Sequence, residues 1–333
     1  MKTAAIFCLL ILLLVPASAR QQACAITEDT PMTVSVDWLA DHLDHKQLVL
    51  LHIGTKDEYD AGHIAGAQFV TLNDISLTRE ESDLSLQLPP AERLKTTFEK
   101  FGIGNDSRII LYFGKDWVSP TTRVYFTLDY VGLGDNTSIL DGGMPAWTAA
   151  GKTLSKDVPV AKTGSLKVTA NDNIVAKADW IKANLDAKNV RIIDARNTQF
   201  YTGESAGGQP RAGRIKGAKN VPFDSMATDK NVFLTADEMK KKFTDAGVGA
   251  YDTVAVYCHI GQQASVDYFA AKRAGLKVKL YDGSYQEWSR LTDMLVENEK
   301  GNKGNVAITV VTPQWLEQHS ADANLRILDV RLN

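Results

Sequence analysis

The sequence predicts an α/β protein: two doubly wound domains with mostly parallel central sheets, followed by the truncated start of a third repeat. Three observations carry this expectation. A long internal repeat returns across most of the 333 residues, short apolar strands alternate with helical patterns in each copy, and each copy opens and closes on a Trp. Self-similarity sets the architecture before any single element does. Strand–helix alternation is the pattern of a parallel sheet covered on both faces.

The first copy, residues 30–152, starts at Val34-Ser35-Val36-Asp37-Trp38-Leu39. Fourteen residues after the Trp it reaches His52-Ile53-Gly54, the end of an apolar strand over Leu48–Ile53. The second, residues 170–292, starts at Ile174 and, fourteen residues after Trp180, reaches Asp194-Ala195-Arg196. Both continue into a Tyr (Tyr59, Tyr201) and a Gly-x-Ile-x-Gly-Ala segment, Gly62–Ala67 and Gly213–Ala218. Phe101-Gly102-Ile103 and Ala246-Gly247-Val248 end a helix before the strands Arg108–Phe113 and Thr253–Cys258. The next helices close at Gly132-Leu133 and Gly275-Leu276, and a last strand meets a turn, Asp141-Gly142 or Asp282-Gly283, that leads to Trp147 or Trp288. Trp38, Trp180 and Trp315 recur at core-helix positions and read as packing residues. Residues 153–169, rich in Lys, Gly and Val, read as a linker. Thr312-Pro313-Gln314-Trp315-Leu316 and Asp329-Val330-Arg331 open a third copy over 306–333, too short to bury a core alone. It reads as a truncated domain or as a strand and helix docked on the second copy.

A composition of 44% apolar and 23% charged residues is that of an ordinary folded chain. With a net charge of −3 and no basic stripe among aromatics, nucleic acid is not an expected partner. Lys2, the apolar run Ala4–Val15 and Pro16-Ala17-Ser18-Ala19 form a secretory signal peptide over residues 1–19, with cleavage expected after Ala19. The run is shorter than the roughly 20 apolar residues a membrane anchor needs. Export to the periplasm or the medium is expected, with no membrane span after cleavage. Of three cysteines, Cys8 leaves with the signal and Cys24 lies in the leader, so no disulfide framework is expected. His42, His45, His52 and His63 lack the i, i+4 spacing of a helical metal pair, and neither a metal nor a cofactor is expected.

Cys258 stands at the exit of a β-branched strand, before a short polar loop and a helix start. Composition alone favours a buried small hydrophobe there. The position favours a reactive thiol, because loop N–H groups and a helix N-terminus can converge on one sulfur and lower its pKa. Gly261 suits such a loop because it permits φ > 0 and close backbone approach. In the first copy Phe113 holds the equivalent position and offers no lone pair, so that copy reads as non-catalytic.

On these residues the chain resembles the tandem-domain rhodanese-like sulfurtransferases, the thiosulfate and 3-mercaptopyruvate sulfurtransferase family. The marks are Asp194-Ala195-Arg196, the Gly-x-Ile-x-Gly-Ala segment, Cys258 opening a loop that ends at Ala264, and Asp282-Gly283 before Trp288. The resemblance implies two rhodanese-like domains, a structural first and a catalytic second. It implies a transferase moving a sulfane sulfur from a small donor (thiosulfate, mercaptopyruvate or polysulfide) to a thiol or cyanide acceptor through a Cys258 persulfide. It places His259, Ile260, Gly261, Gln262, Gln263 and Ala264 around the donor. A loop of this length, with no Arg closing it, matches sulfur rather than phosphate. The loop departs from the family in two places. Neither the basic residues of thiosulfate-specific members nor the Gly and Ser of mercaptopyruvate-specific members follow Cys258, and Phe200 stands where an anion-binding Arg is common. Arg211, Arg214 and Lys216 are candidate substitutes, the alternative being a solvated basic surface. His259 reads as a donor contact or as a charge holding the sulfur anionic at mildly acid pH, against a side chain in solvent. Asp194 and Arg196 read as an ion pair bracing the loop. The alternative function is a catalytically silent module that binds a sulfur compound or a partner protein; the oligomeric state stays open.

Overall fold

The computed structural model describes residues 31–115, 118–160 and 162–299. The signal segment, Cys24 and the third-repeat residues 306–333 lie outside the described residues. Among the described residues no helix is long and apolar enough to cross a membrane.

The first domain runs β1 (Thr33–Val34), α1 (Val36–His42), β2 (Leu48–Ile53), α2 (Lys56–Ala61), β3 (Gln68–Val70), α3 (Ala91–Lys100), β4 (Arg108–Phe113), α4 (Ser119–Tyr130), β5 (Thr137–Leu140) and α5 (Gly143–Ala149). The second runs β6 (Val175–Ala176), α6 (Ala178–Ala183), β7 (Val190–Asp194), α7 (Thr198–Tyr201), β8 (Arg214–Ile215), β9 (Lys219–Asn220), α8 (Ala236–Asp245), β10 (Thr253–Tyr257), α9 (Ala264–Arg273), β11 (Lys277–Tyr281), α10 (Ser284–Trp288) and β12 (Val296–Glu297). The sheet orders are β1-β5-β4-β2-β3 and β6-β11-β10-β7-β9, the same five-stranded sheet built twice. Every pairing within them is parallel. The central strands β4 and β10 are almost wholly buried, and their sequences RIILYF and TVAVY are correspondingly near-continuous apolar runs. β10 ends at Tyr257, which pairs with Asp194, so Cys258 is the first residue past the middle of the second sheet.

Residues 153–160 and 162–169 lie as a strap along the first domain. Ser155 bridges to His63, Gly164 N–H donates to Glu99 O at 2.7 Å, and Leu166 buries its side chain in the core. A Cβ on Gly164 would fall 2.0 Å from Ile103 O, so the close approach requires glycine. The second domain continues beyond the expected boundary at 292. There β12 pairs antiparallel with β8, and Glu299 N–H donates to Thr202 O.

The domains meet through α4 and α9 in a nearly two-fold arrangement. Thr122 Oγ1 and Ser265 Oγ lie 2.8 Å apart, and Lys272 Nζ lies 2.7 Å from Asp129 Oδ2; each pair is separated by 143 residues. Equal offsets mean that these positions face their own counterparts. The aromatic contacts form a reciprocal crossed pair about the same axis, Tyr125 edge-on to Phe269 and Phe126 edge-on to Tyr268, each ring meeting the neighbour of its own counterpart. Each domain also lends a backbone N–H to the other's Asp-Gly turn: Leu88 to Asp282 and Phe233 to Asp141, both at 2.9 Å.

Candidate active site

Cys258 Sγ accepts the N–H of Gly261 at 3.2 Å, and the N–H groups of Ile260, Gln263 and Ala264 lie close enough to favour its charged form. Gly261 achieves this at φ +86, and a Cβ there would come within 3.0 Å of Arg123 Nη1. The Cys258 backbone is pinned as well: its N–H donates to Ser284 Oγ at 3.3 Å and its carbonyl accepts Tyr285 N–H at 2.9 Å. Ser284 holds φ +52, a left-handed conformation that costs a non-glycine residue energy. Its counterpart in the first domain is Gly143, where a Cβ would meet the Phe113 ring at 2.6 Å. Phe113 thus goes with Gly143 and Cys258 with Ser284. The sequence reading passed over Ser284, although this paired difference between the copies was there to find.

The sulfur is closed off. Cys258 is 0% exposed and belongs to an apolar cluster that crosses the domain junction. Burial pushes its thiol pKa up, and the N–H groups of Ala264, Ile260, Gly261 and Gln263 oppose that rise without cancelling it. The expectation of a depressed pKa is therefore corrected: the dipoles are aimed at the sulfur, but loss of water outweighs them in the closed molecule. A cavity of 650 Å³ between the domains, lined by Leu77, Gln87, Leu88, Tyr130, Lys177 and Asp282, reaches the Asp282 turn without Cys258 among its walls.

The other expected residues separate into distinct roles. His259 packs edge-on against Phe200 with ring centroids 4.6 Å apart. Burial, then the nearby Arg196 charge, lowers its pKa to about 4. Two expectations for it are corrected: it is neutral at mildly acid pH, and it is half-buried rather than projecting into solvent. Ile260, Gln262 and Gln263 are half-buried, and Gln262 Nε2 donates to Ser119 Oγ of the first domain at 3.0 Å. Arg211 donates to the carbonyls of Ser289, Met294, Trp288 and Leu291 at 2.6–2.9 Å. The expectation that it binds donor is corrected, since its fork is spent clamping the segment after α10. Arg214 lies 4.2 Å over the Tyr201 ring, and Lys216 lies 3.9 Å from Asp186. Asp194 and Arg196 form a buried bidentate pair at 2.9 and 2.6 Å. The same carboxylate accepts Tyr257 OH at 2.6 Å, and the guanidinium lies 4.0 Å over Tyr285, so the pair ties the residue before Cys258 to the one after Ser284.

Asp267, on the buried face of α9, was missed by the sequence reading. It is 0% exposed, and neither carboxylate oxygen has a hydrogen-bond partner among the described residues. Burial, then the charges of Asp194 and Asp224, raise its pKa well above the usual carboxylate value. An unfolded Asp ionises near 3.9, so above that pH the folded state holds a proton the unfolded state has released, and stability falls as pH rises. At the matching position of α4 stands the buried Val124. Asp267→Val is expected to stabilise the protein at neutral pH by about 1–3 kcal/mol, with the gain shrinking toward pH 4. Urea melts at several pH values check this; a neutral or destabilising effect at pH 7 counts against it.

With this geometry in hand, comparison with known proteins is decisive. A rhodanese-like domain model matches residues 35–150 and 177–291. The chain belongs to the rhodanese-like family. This rhodanese-like chain is 30% identical over 277 residues to the sulfur carrier protein TtuD of Thermus thermophilus, covering 78% of this chain and 93% of that one. It is 29% identical over 284 residues to the 3-mercaptopyruvate sulfurtransferase of Escherichia coli, covering 81% and 99%. Among solved structures it is similar to SseA from Escherichia coli, a 3-mercaptopyruvate sulfotransferase. That match has a TM-score of 0.68 and 27% identity over 77% of this chain and 99% of that one.

Proposed function

We propose that this rhodanese-like protein is a sulfurtransferase working through a persulfide on Cys258. The observation that carries the reading is a sulfur at the end of the central strand that accepts the Gly261 N–H at 3.2 Å, with the N–H groups of Ile260, Gln263 and Ala264 beside it favouring its charged form. The Cys258 thiolate attacks the outer sulfur of the donor; the new S–S bond forms as the donor's own S–S or C–S bond breaks, and the leaving group departs with the bonding pair. The outer persulfide sulfur then carries the negative charge that the N–H groups stabilise, as an oxyanion hole does. A thiolate or cyanide acceptor takes that sulfur and returns Cys258 to its thiolate. Because the sulfur is closed off, the junction must open to admit the donor, and admitting water also removes the desolvation that holds the thiol up.

The surroundings favour an uncharged organic polysulfide or a singly charged persulfide donor over the doubly charged thiosulfate. The cations nearest the cradle are committed: Arg196 to Asp194, Arg123 to Asp282 and Arg211 to backbone carbonyls, while His259 is neutral. Incubating the purified protein with an organic polysulfide, thiosulfate or mercaptopyruvate and weighing it by mass spectrometry tests both points. The expected result is a gain of one sulfur atom, most completely from polysulfide. No gain from any donor would leave the second reading, a silent module that binds a sulfur compound or a partner, which the raised thiol pKa favours. Lys2, the Ala4–Val15 run and the Ala17-Ser18-Ala19 pattern support export, and chain recovered from its own cells should then begin at Arg20.

A further inference from the structure

Arg123 belongs to the first domain, on α4, yet its charged end lies in the catalytic half. It is 0% exposed. Nη2 donates to Asp282 Oδ1 at 2.7 Å and to the carbonyl of Leu86, and Nη1 lies 3.5 Å from the carbonyl of Gly261. One guanidinium therefore spans a loop of the first domain, the Asp-Gly turn of the second, and the peptide unit next to the one whose N–H reaches Cys258 Sγ. Asp282 in turn leads through Gly283 to Ser284, which holds the Cys258 N–H.

The backbone around this fork is strained on both sides. Among the described residues three non-glycine positions have positive φ, and two of them, Leu86 at +57 and Ser284 at +52, flank the Arg123–Asp282 pair. Such conformations persist only where the surroundings over-determine them. Here the over-determination is visible. Leu88 N–H donates to Asp282 Oδ2, Gln87 Nε2 to Asp282 O, and Ser85 and Gln286 exchange two hydrogen bonds at 2.9 Å. The neighbouring charges are accounted for, since Asp194 is paired with Arg196 and His259 is neutral.

We infer that Arg123 is a positioning residue of the thiol site: it orients the Gly261 peptide and the Asp282–Ser284 turn so that the loop N–H groups stay aimed at Cys258. The first domain, which has Phe113 in place of a cysteine, thereby supplies a working part of the second domain's cradle. A simple interdomain strut would hold the halves together without affecting how readily Cys258 ionises. The fixed planar fork is the reason for Arg here, because the single ammonium of Lys cannot meet Asp282, Leu86 and Gly261 at once.

The inference rests on Cys258 being the working thiol, and alkylation tests it without any sulfur donor, so its outcome is separable from that of the donor experiment. The full-length protein is treated with iodoacetamide across pH, and modification at Cys258 is followed by peptide mass spectrometry. The high-pH plateau reports access to the sulfur, while the inflection reports its ionisation. Arg123→Met is expected to move the inflection up by about half to one pH unit, which is roughly three- to tenfold slower alkylation at a pH below it. Arg123→Lys should fall between Met and the parent. Asp129→Asn, which cuts the Asp129–Lys272 pair of the same interface, should lower the melting temperature and leave the inflection in place. A parental inflection in Arg123→Met overturns the proposal whatever its stability. Should that variant not fold, a parental inflection in Arg123→Lys overturns it equally.

Discussion

Cys258→Ser is expected to end sulfur uptake altogether while leaving the fold intact. The change exchanges one atom, and a hydroxyl oxygen can accept the same peptide N–H groups, so stability should stay within about 1 kcal/mol of the parent. Reactivity is another matter. A serine hydroxyl is not ionised at neutral pH and cannot hold a sulfur in an S–S bond, whereas a thiol can do both once water reaches it. The check is intact mass after incubation with polysulfide, alongside a thermal melt. A variant that melts normally yet still gains one sulfur atom would move the chemistry off Cys258, to Cys8 or Cys24, the other cysteines of the sequence.

Asp194→Asn should produce the largest loss of stability, about 3–5 kcal/mol, a fall of roughly 10 °C or more in melting temperature. The substitution leaves the Arg196 guanidinium buried without its counter-charge and weakens the Tyr257 hydroxyl bond. A lone buried cation costs far more than the intact pair contributes, which is why Asp194→Asn combined with Arg196→Met is expected to recover part of the loss. Since Tyr257 precedes Cys258 and Tyr285 follows Ser284, the single variant should also slow Cys258 alkylation. Additive effects of the two substitutions would argue that the residues do not act as a pair.

The parts of this protein legible in its sequence are those governed by local pattern. β2 and β4 occupy the stretches read from the sequence, because a strand covered on both faces must be apolar along its length and ends where polar residues begin. Duplication made the rest of the topology readable, since each weak signal occurs twice in the same order. β12 was not legible: Val296–Glu297 is too short to show alternation, and only its antiparallel pairing with β8 makes it a strand. The closed state of Cys258 was hidden for a different reason. Pattern shows which peptide groups can converge on a sulfur, but not how much water the neighbouring domain removes from it. Arg123 was invisible for the same cause, lying 138 residues before the Gly261 carbonyl it faces. The Arg211 expectation failed because carbonyl acceptors leave no mark in a side-chain pattern.

The self-facing register of α4 and α9 bears on how such a chain can arise. Were either half to pair with a second copy of itself in this arrangement, Asp129 would confront Asp129, or Lys272 would confront Lys272. Only two unlike, diverged halves bring opposite charges together at that point. The present junction thus discourages pairing of like halves, and a separately produced second half should prefer the first half as its mate over its own twin.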